Sequence, residues 1–482
     1  MTQGKPLQQL CGAGGDTVVT GLAVDSRSVA PGDLFLARAG TLHDAHDHVS
    51  LAVARGAVAV CSERPVAADV PNIVLPDLRT RLGAIAATFY DDPSARLTCI
   101  GVTGTNGKTS IAWLCAATLD DTGFVGTLGW GAPPQLCPTA LTTEDPVVLQ
   151  GRLRRLLDGG VTRVAMEASS HALDQGRVAD VRFDIAVFSN LTRDHLDYHG
   201  TMERYAQAKR KLFETASLRA AVINVDDPVG RDLARDSAVE TVTYGTVSDA
   251  ALSWSDVAWR ADGIEGRWRS PWGSAPFRLP LFGDFSVRNA AAALAAACLL
   301  GETIDDIAAR MASAPAAPGR MERVGAPGPD APTVIVDYAH TPDALGAALA
   351  AARRHLTGTL TCVFGCGGDR DRGKRPLMAA AAEAGADAVL LTSDNPRGEA
   401  PGAIIEDTLP GFDRPGDVTV EIDRARAIGL AIERSGPGDV VLVAGKGHED
   451  YQEVGGRRIP YSDVETARNA LGNRGPGPGG TV

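Results

Sequence analysis

Thr98-Cys99-Ile100-Gly101-Val102 runs straight into Thr103-Gly104-Thr105-Asn106-Gly107-Lys108-Thr109-Ser110, and a helical run from Ile111 to Leu119 follows. An apolar strand, a glycine loop, Lys-Thr and a helix, in that order, wrap the tail of a nucleoside triphosphate. Glycines let backbone amides converge on phosphate oxygens. The helix N-terminus adds partial positive charge. Lys108 can reach the outer phosphates, and the Thr109 hydroxyl can reach a magnesium ion. The strict GxxxxGK[ST] spacing asks for glycine at 102, where the chain has Val102. The other four features stand in order, so the segment reads as a phosphate loop.

Outward from this loop, short β-branched runs alternate with Ala-rich helical stretches, the pattern of an α/β chain with parallel sheets. Strands are predicted at Ala57–Cys61, Thr98–Val102, Arg163–Glu167, Asp184–Ser189, Ala221–Val225, Thr333–Asp337, Thr361–Phe364, Ala388–Thr392 and Val440–Ala444. Most end in Gly, Asp, Glu or Asn, and the carboxyl edge of a parallel sheet is where ligands bind. Asp91-Asp92-Pro93-Ser94 and the Ala/Pro-rich Met311–Arg320 read as domain breaks, and Ala326–Pro332 as a loop. The expected division is 1–96, 97–318 and 319–482. The Gly/Pro-rich tail from Gly472 reads as mobile. No internal repeat is present.

The chain has 482 residues, room for about three domains at roughly 150 residues each. With 44% hydrophobic and 22% charged residues it has a globular balance. A net charge of −12 argues against nucleic acid as a partner, while leaving room for small anions held by local cations. The longest apolar run, Ala290 to Leu300, is too short for a bilayer, which takes about 20 residues. The N-terminus lacks a basic segment followed by an apolar one, so no secretory signal is expected. The eight cysteines are scattered without a CxxC pair and read as reduced core residues of a cytosolic protein.

Further motifs follow in order: Glu167-Ala168-Ser169-Ser170-His171, Asn190 to Gly200 (NLTRDHLDYHG), Tyr205 to Lys209 (YAQAK), Gly319-Arg320-Met321-Glu322, Asp337 to Asp343 (DYAHTPD), Gly367 to Asp371 (GGDRD), Asp394-Asn395-Pro396-Arg397 and Gly445 to Glu449 (GKGHE). With TGTNGKTS at the head, this series resembles the Mur ligases, relatives of the folylpolyglutamate synthetases, and within them the MurE type. The likeness runs from Asp25-Ser26-Arg27 to Glu449.

The resemblance implies a three-domain α/β fold, with a P-loop ATPase-type central domain and a Rossmann-like C-terminal domain. It also implies ATP-dependent addition of meso-diaminopimelate to UDP-N-acetylmuramoyl-L-alanyl-D-glutamate, through an acyl phosphate, in cell-wall precursor synthesis. Amide formation in water is uphill, and phosphorylating the carboxylate drives it. Such a site must gather three anionic groups and neutralise them. The resemblance assigns ATP to Gly104, Thr105, Asn106, Gly107, Lys108, Thr109 and Ser110, with Asn289, Arg320, Asp337 and His340. Magnesium falls to Thr109, Glu167 and His195, and to Lys209 as a carbamate. From the residues alone Lys209 reads as a surface lysine beside Arg210 and Lys211; only the resemblance selects it.

For the UDP-linked substrate the matching positions are Val24, Ser26, Thr41, Leu42 and His43, then Thr142, Thr143, Ser169, Gln175 and Arg177. Without the resemblance, Asp25-Ser26-Arg27 is a turn and His43, His46 and His48 stand on a solvated loop. Arg177 is the strongest of this set physically, since a guanidinium grips a carboxylate or phosphate by two hydrogen bonds. Glu144 departs from the family, which usually has proline there; a change in loop rigidity and a negative charge near an acidic substrate are expected.

Diaminopimelate is assigned Arg370, Asp394, Asn395, Pro396, Arg397, Gly445 and Glu449. Pro396 stiffens its loop. Arg370 and Arg397 can clamp carboxylates, and Asp394 and Glu449 can hold an ammonium. A distal carboxylate suits Arg397, which would repel a lone distal ammonium; lysine-adding members lack this arginine. Residue types alone do not separate meso- from LL-diaminopimelate. A paralogue in a specialised peptide pathway, a folate-class ligase and a non-enzymatic nucleotide switch are the rival readings. Arg320, in the second linker, would couple domain closure to ATP. A cytoplasmic monomer without a membrane segment is expected.

Overall fold

In the computed structural model the strand Thr98–Thr103 lies between Arg163–Glu167 and Ile185–Phe188, parallel to both. The structure describes residues 4–40, 44–325 and 331–473. Thr41, Leu42 and His43, most of the Ala326–Pro332 loop and the tail beyond 473 lie outside the described residues. The chain divides into two units, Met1–Thr243 and Tyr244–Val482.

The first unit holds two sheets. The N-terminal one has four parallel strands in the order Gly21–Ala23, Asp33–Ala37, Ala59–Ser62, Asn72–Val74. The Asp33–Ala37 strand is apolar on both faces. Leu34 and Leu36 join Leu78, Leu82 and Phe89, while Phe35 and Ala37 join Val49 and Ala52. A strand covered on both faces reads as a continuous apolar run, not an alternating one. The larger sheet contains the parallel order Thr122–Gly126, Arg163–Glu167, Thr98–Thr103, Ile185–Phe188, Ala220–Asn224, extended by an antiparallel pair, Gly129–Ala132 and Gln135–Cys137. From Thr98–Thr103 the order departs to both sides, which opens a crevice at its carboxyl end.

The second unit begins with a three-stranded antiparallel sheet, Ser253–Arg260, Gly263–Ser270 and Gly273–Leu279. The helix Asp284–Leu299 follows, buried along most of its length. The remainder is a six-stranded sheet in the order Glu322–Val324, Thr333–Asp337, Val440–Ala444, Leu360–Cys366, Ala388–Ser393, Thr419–Val420. Its first pair is antiparallel and the rest parallel. Ile335, Cys362, Phe364 and Leu442 face one helical layer, and Val334, Val336, Val363 and Val443 the other.

All nine predicted strands exist, three with the predicted bounds. The Ala290–Leu300 run sits in a sixteen-residue helix, and no helix among the described residues is long and apolar enough to cross a membrane. Seven cysteines are buried as expected, but Cys137 is exposed, because its edge strand has sheet on one side only.

Candidate active site

Gly104 and Gly107 take positive φ, +148° and +87°, where a Cβ would be strained. At Gly104 a Cβ would also meet the Ser189 hydroxyl at 1.8 Å. The loop therefore lies flat against the next strand end, and Ser189 Oγ donates to Asn106 O. Asn190 Oδ1 accepts from Asn106 N at 3.0 Å, and Thr105 N donates to Asn190 O at 2.8 Å. Lys108 Nζ donates to Gly104 O and Thr105 O at 2.9 and 2.8 Å. Thr109 and Ser110 begin the helix Lys108–Thr118, whose N-terminus points its amides into the crevice.

Glu167 ends the neighbouring strand and is 1% exposed. Its carboxylate accepts from the Thr109 hydroxyl at 3.0 Å, Thr127 N at 2.8 Å and the Thr127 hydroxyl at 3.3 Å. No cation pairs with it among the described residues. A buried carboxylate facing hydroxyls without a counter-ion suits a hard divalent cation that keeps some of its waters. Thr109 and Glu167 thus fit the magnesium assignment. His195 stands apart from them in hydrogen bonding. Its ring lies 4.9 Å from His171 and 6.0 Å from Tyr205, at φ +53° on the loop after Ile185–Phe188.

Lys209 is 1% exposed, which corrects the surface reading of the bare sequence. The helix Met202–Arg210 turns it inward while Arg210 and Lys211 pair outward with Asp236 and Asp174. Lys209 Nζ donates to Gly104 O at 2.7 Å and lies 4.4 Å from the centre of the Tyr205 ring. Burial, with nearby Lys108 adding to it, drives the ammonium well below its ordinary range. The Tyr205 hydroxyl meets Thr105 Oγ1 at 3.1 Å, and burial pushes its phenol up to about 12. Burial also lowers His171 and His199, with His195 beside both. Next to this helix a polar cleft of about 470 Å³ is lined by Asp174, Tyr198, His199, Arg204, Gln207 and Lys211.

The donor-side residues meet around Thr143. Its hydroxyl donates to Glu167 O at 2.7 Å and accepts from Ser169 N at 3.1 Å, and its carbonyl accepts from Arg177 at 2.9 Å. Gln175 Oε1 takes two N–H groups of Arg177, and Thr142 Oγ1 lies 3.0 Å from Thr127 Oγ1. Ser169 caps the helix Ser170–Asp174. Glu144 has a structural task. Its Oε1 accepts from the Thr139 hydroxyl and the Ala140 N–H at 2.9 and 3.0 Å, and from Arg152 at 3.0 Å. Burial raises this carboxyl, but those donors outweigh it and the group lies below its ordinary range. Arg152 balances the added charge.

Val24 precedes the predicted turn and Ser26 lies within it, closed by Ser28 N donating to Asp25 O at 3.0 Å. His46 corrects the solvated-loop reading: it is 7% exposed, with Nδ1 on Asp44 and Nε2 accepting from Glu63 N.

The second unit carries the remaining candidates. Asp337 accepts from Met321 N and Ala339 N at 2.8 and 2.9 Å, and burial raises it against the pull of Arg320. Arg320 lies 4.6 Å from the Tyr338 ring; His340 is exposed and Asn289 buried. His448 is lowered to about 4 by burial, then by Arg320. Asn395 is the hub of the acceptor loop. It donates to Glu449 Oε2 at 2.8 Å and accepts from Lys446 Nζ at 3.0 Å and Glu453 N at 2.9 Å. Gly445, at φ +121°, approaches the Asp394 carboxylate, while Arg370 is exposed. Pro396 is buried, and Arg397 sits at φ +51° with Nη1 on Gly368 O at 2.8 Å.

Sequence reasoning passed over Lys446, Glu453, Thr127 and Arg424. Lys446 had a signal, a lysine between two glycines at a strand end. Thr127, Glu453 and Arg424 had none, because their partners are remote in sequence.

Three family models match: the Mur ligase middle domain over 102–297, the Mur ligase glutamate ligase domain over 319–447, and the Mur ligase family catalytic domain over 18–90. A UDP-N-acetylmuramoyl-L-alanyl-D-glutamate–2,6-diaminopimelate ligase of Pseudomonas putida is 48% identical over 97% of this chain and 98% of its own. The Pseudomonas aeruginosa ligase of the same name is 49% identical over 95% and 96%. A solved structure of a UDP-N-acetylmuramoyl-L-alanyl-D-glutamate–2,6-diaminopimelate ligase superposes with TM-score 0.73 at 38% identity, covering 97% of this chain and 99% of that one. A Mycobacterium tuberculosis folylpolyglutamate synthase, at 20% identity, TM-score 0.60 and coverage of 83% and 96%, shares the fold.

Proposed function

The chain belongs to the Mur ligase family, and from that membership we propose the reaction and the residues that carry it. It is an ATP-dependent ligase that joins meso-diaminopimelate to UDP-N-acetylmuramoyl-L-alanyl-D-glutamate in peptidoglycan precursor biosynthesis. It works as a soluble cytoplasmic monomer in the service of cell-wall growth and division. The functional division is 1–96 for the UDP end, 97–318 for ATP and 319–482 for the acceptor.

The backbone amides of Gly104 to Ser110 hold the triphosphate, and Lys108 turns from the loop carbonyls toward the outer phosphates. Thr109 and Glu167, with His195 and a carbamate on Lys209, would hold magnesium, which when bound neutralises phosphate charge. The buried setting of Lys209 favours the neutral amine, the form that attacks carbon dioxide to give a carbamate. Asn289, Arg320, Asp337 and His340 serve the nucleotide. Val24 and Ser26, with Thr41, Leu42 and His43, take the uridine. Thr142, Thr143, Ser169, Gln175 and Arg177 hold the peptide carboxylate beside the phosphate loop. That carboxylate takes the terminal phosphoryl group, and ADP is released. The amine of diaminopimelate then attacks the acyl phosphate and expels phosphate. Arg370, Arg397 and Gly445 orient the acceptor's carboxylates, and Asp394, Asn395 and Glu449 its ammonium.

The observation that carries this reading is the meeting of the phosphate loop, the uncompensated Glu167 carboxylate and buried Lys209 at one strand edge. The test supplies purified protein with ATP, the UDP-dipeptide and, separately, meso-diaminopimelate, LL-diaminopimelate and lysine. ADP and a UDP-tripeptide with the meso isomer are expected; a preference for lysine overturns the acceptor assignment.

A further inference from the structure

Beside the Asp394–Arg397 loop lies a hairpin, Tyr451–Val454 and Arg457–Pro460, which belongs to none of the matched motifs. It is tied to that loop by backbone. Arg397 N donates to Glu453 O at 2.9 Å, Gly455 N donates to Arg397 O at 2.7 Å, and Glu453 N donates to Asn395 Oδ1 at 2.9 Å. Arg397 is thereby held at φ +51°, a conformation a non-glycine residue keeps only where its surroundings impose it. The Glu453 carboxylate lies 3.3 Å from Arg397 Nε, and the two side chains are 29% and 22% exposed. Nη1 of Arg397 is engaged by Gly368 O at 2.8 Å, and Nη2 has no partner among the described residues.

The result is an opposite-charge pair, fixed from behind and open in front. A group with a carboxylate and an ammonium on one carbon presents the complementary pair. Glu449 Oε2 already takes Asn395 Nδ2 and the buried Lys446 ammonium at 2.8 and 2.7 Å, so part of its charge is spent and a second carboxylate, Glu453, can supplement it at that ammonium. We propose that Glu453 is a specificity-determining residue that reads the distal ammonium of the acceptor while Arg397 reads its distal carboxylate. This rests on the assignment of the acceptor to the Asp394–Arg397 loop. A diacid acceptor without the distal amine meets the Glu453 charge unpaired, and a diamine without the distal carboxylate meets Arg397 unpaired.

The test compares kcat/KM for meso-diaminopimelate and for 2-aminopimelate, which lacks only the distal amine. In Glu453→Gln the ratio between them is expected to fall about tenfold, the worth of one charge-assisted hydrogen bond. Glu453→Asp should restore part of it. A ratio cannot move merely because some enzyme is unfolded, so a structural role for the hairpin leaves it flat. An unchanged ratio in Glu453→Gln, with diaminopimelate use in Arg397→Gln clearly impaired, overturns the role of Glu453 alone. If Arg397→Gln leaves diaminopimelate use intact, the acceptor assignment fails and this proposal with it.

Discussion

Arg424→Met should both weaken the second unit and loosen its acceptor site. Arg424 and Asp463 are each 0% exposed and paired twice, Nε to Oδ1 and Nη2 to Oδ2, both at 2.7 Å. Nη2 also donates to Ala444 O at 2.9 Å and Nη1 to Ser393 O at 3.3 Å. Those carbonyls end the two strands from which Gly445-Lys446 and Asp394-Asn395 depart. Removing the guanidinium leaves a buried carboxylate without a counter-ion, at a cost of about 3–5 kcal/mol. At about 2–4 °C per kcal/mol for a unit of this size, the transition drops by roughly 10 °C. Calorimetry reads that drop, and the KM for diaminopimelate should rise with it. Arg424→Met with Asp463→Leu should recover most of the loss, because an apolar pair does not need neutralising. A single variant melting within about 2 °C of the parent, or a double variant melting lower than the single, refutes the reasoning.

Lys209 gives a prediction of opposite sign. Its folded-state pKa is depressed, so folding is penalised at pH below that value and gains stability as pH rises toward about 10. Lys209→Met should thus be inactive yet more stable than the unmodified parent in CO₂-free buffer at neutral pH, with the advantage shrinking by pH 10; denaturant titrations at two pH values check it. Glu144→Ala removes the acceptor that gathers Thr139, Ala140 and Arg152. The KM for the UDP-dipeptide should rise about tenfold or more, with the KM for diaminopimelate unmoved. Glu167→Gln keeps the shape and removes the charge, so its activity should need far more magnesium, read as a shifted metal titration.

Much of the fold was legible because buried parallel strands are short apolar runs that end in small or acidic residues. Thr333–Asp337 and Val440–Ala444 show this in their bounds. The antiparallel strands Ser253–Arg260 and Gly263–Ser270 were not, since they are polar, half-exposed and interrupted by arginines. In the site, the phosphate loop and Glu167 declare themselves by position at strand ends. Lys209 does not: on a charged helix, only the packing of that helix decides which of two nearby lysines turns inward. Glu453 was invisible for a related reason. Its partners, Asn395 and Arg397, lie more than fifty positions away, and the pairing exists only once the hairpin docks.

The central claim is that a carboxylate of the UDP-dipeptide is phosphorylated by ATP before the amine attacks, and following oxygen tests it most directly. The donor is supplied with its carboxylates labelled with ¹⁸O, together with ATP and meso-diaminopimelate, and the released phosphate is analysed by mass spectrometry. One labelled oxygen in each phosphate, formed one for one with UDP-tripeptide and lost in Lys108→Ala, is the predicted result. Unlabelled phosphate released alongside tripeptide would contradict it.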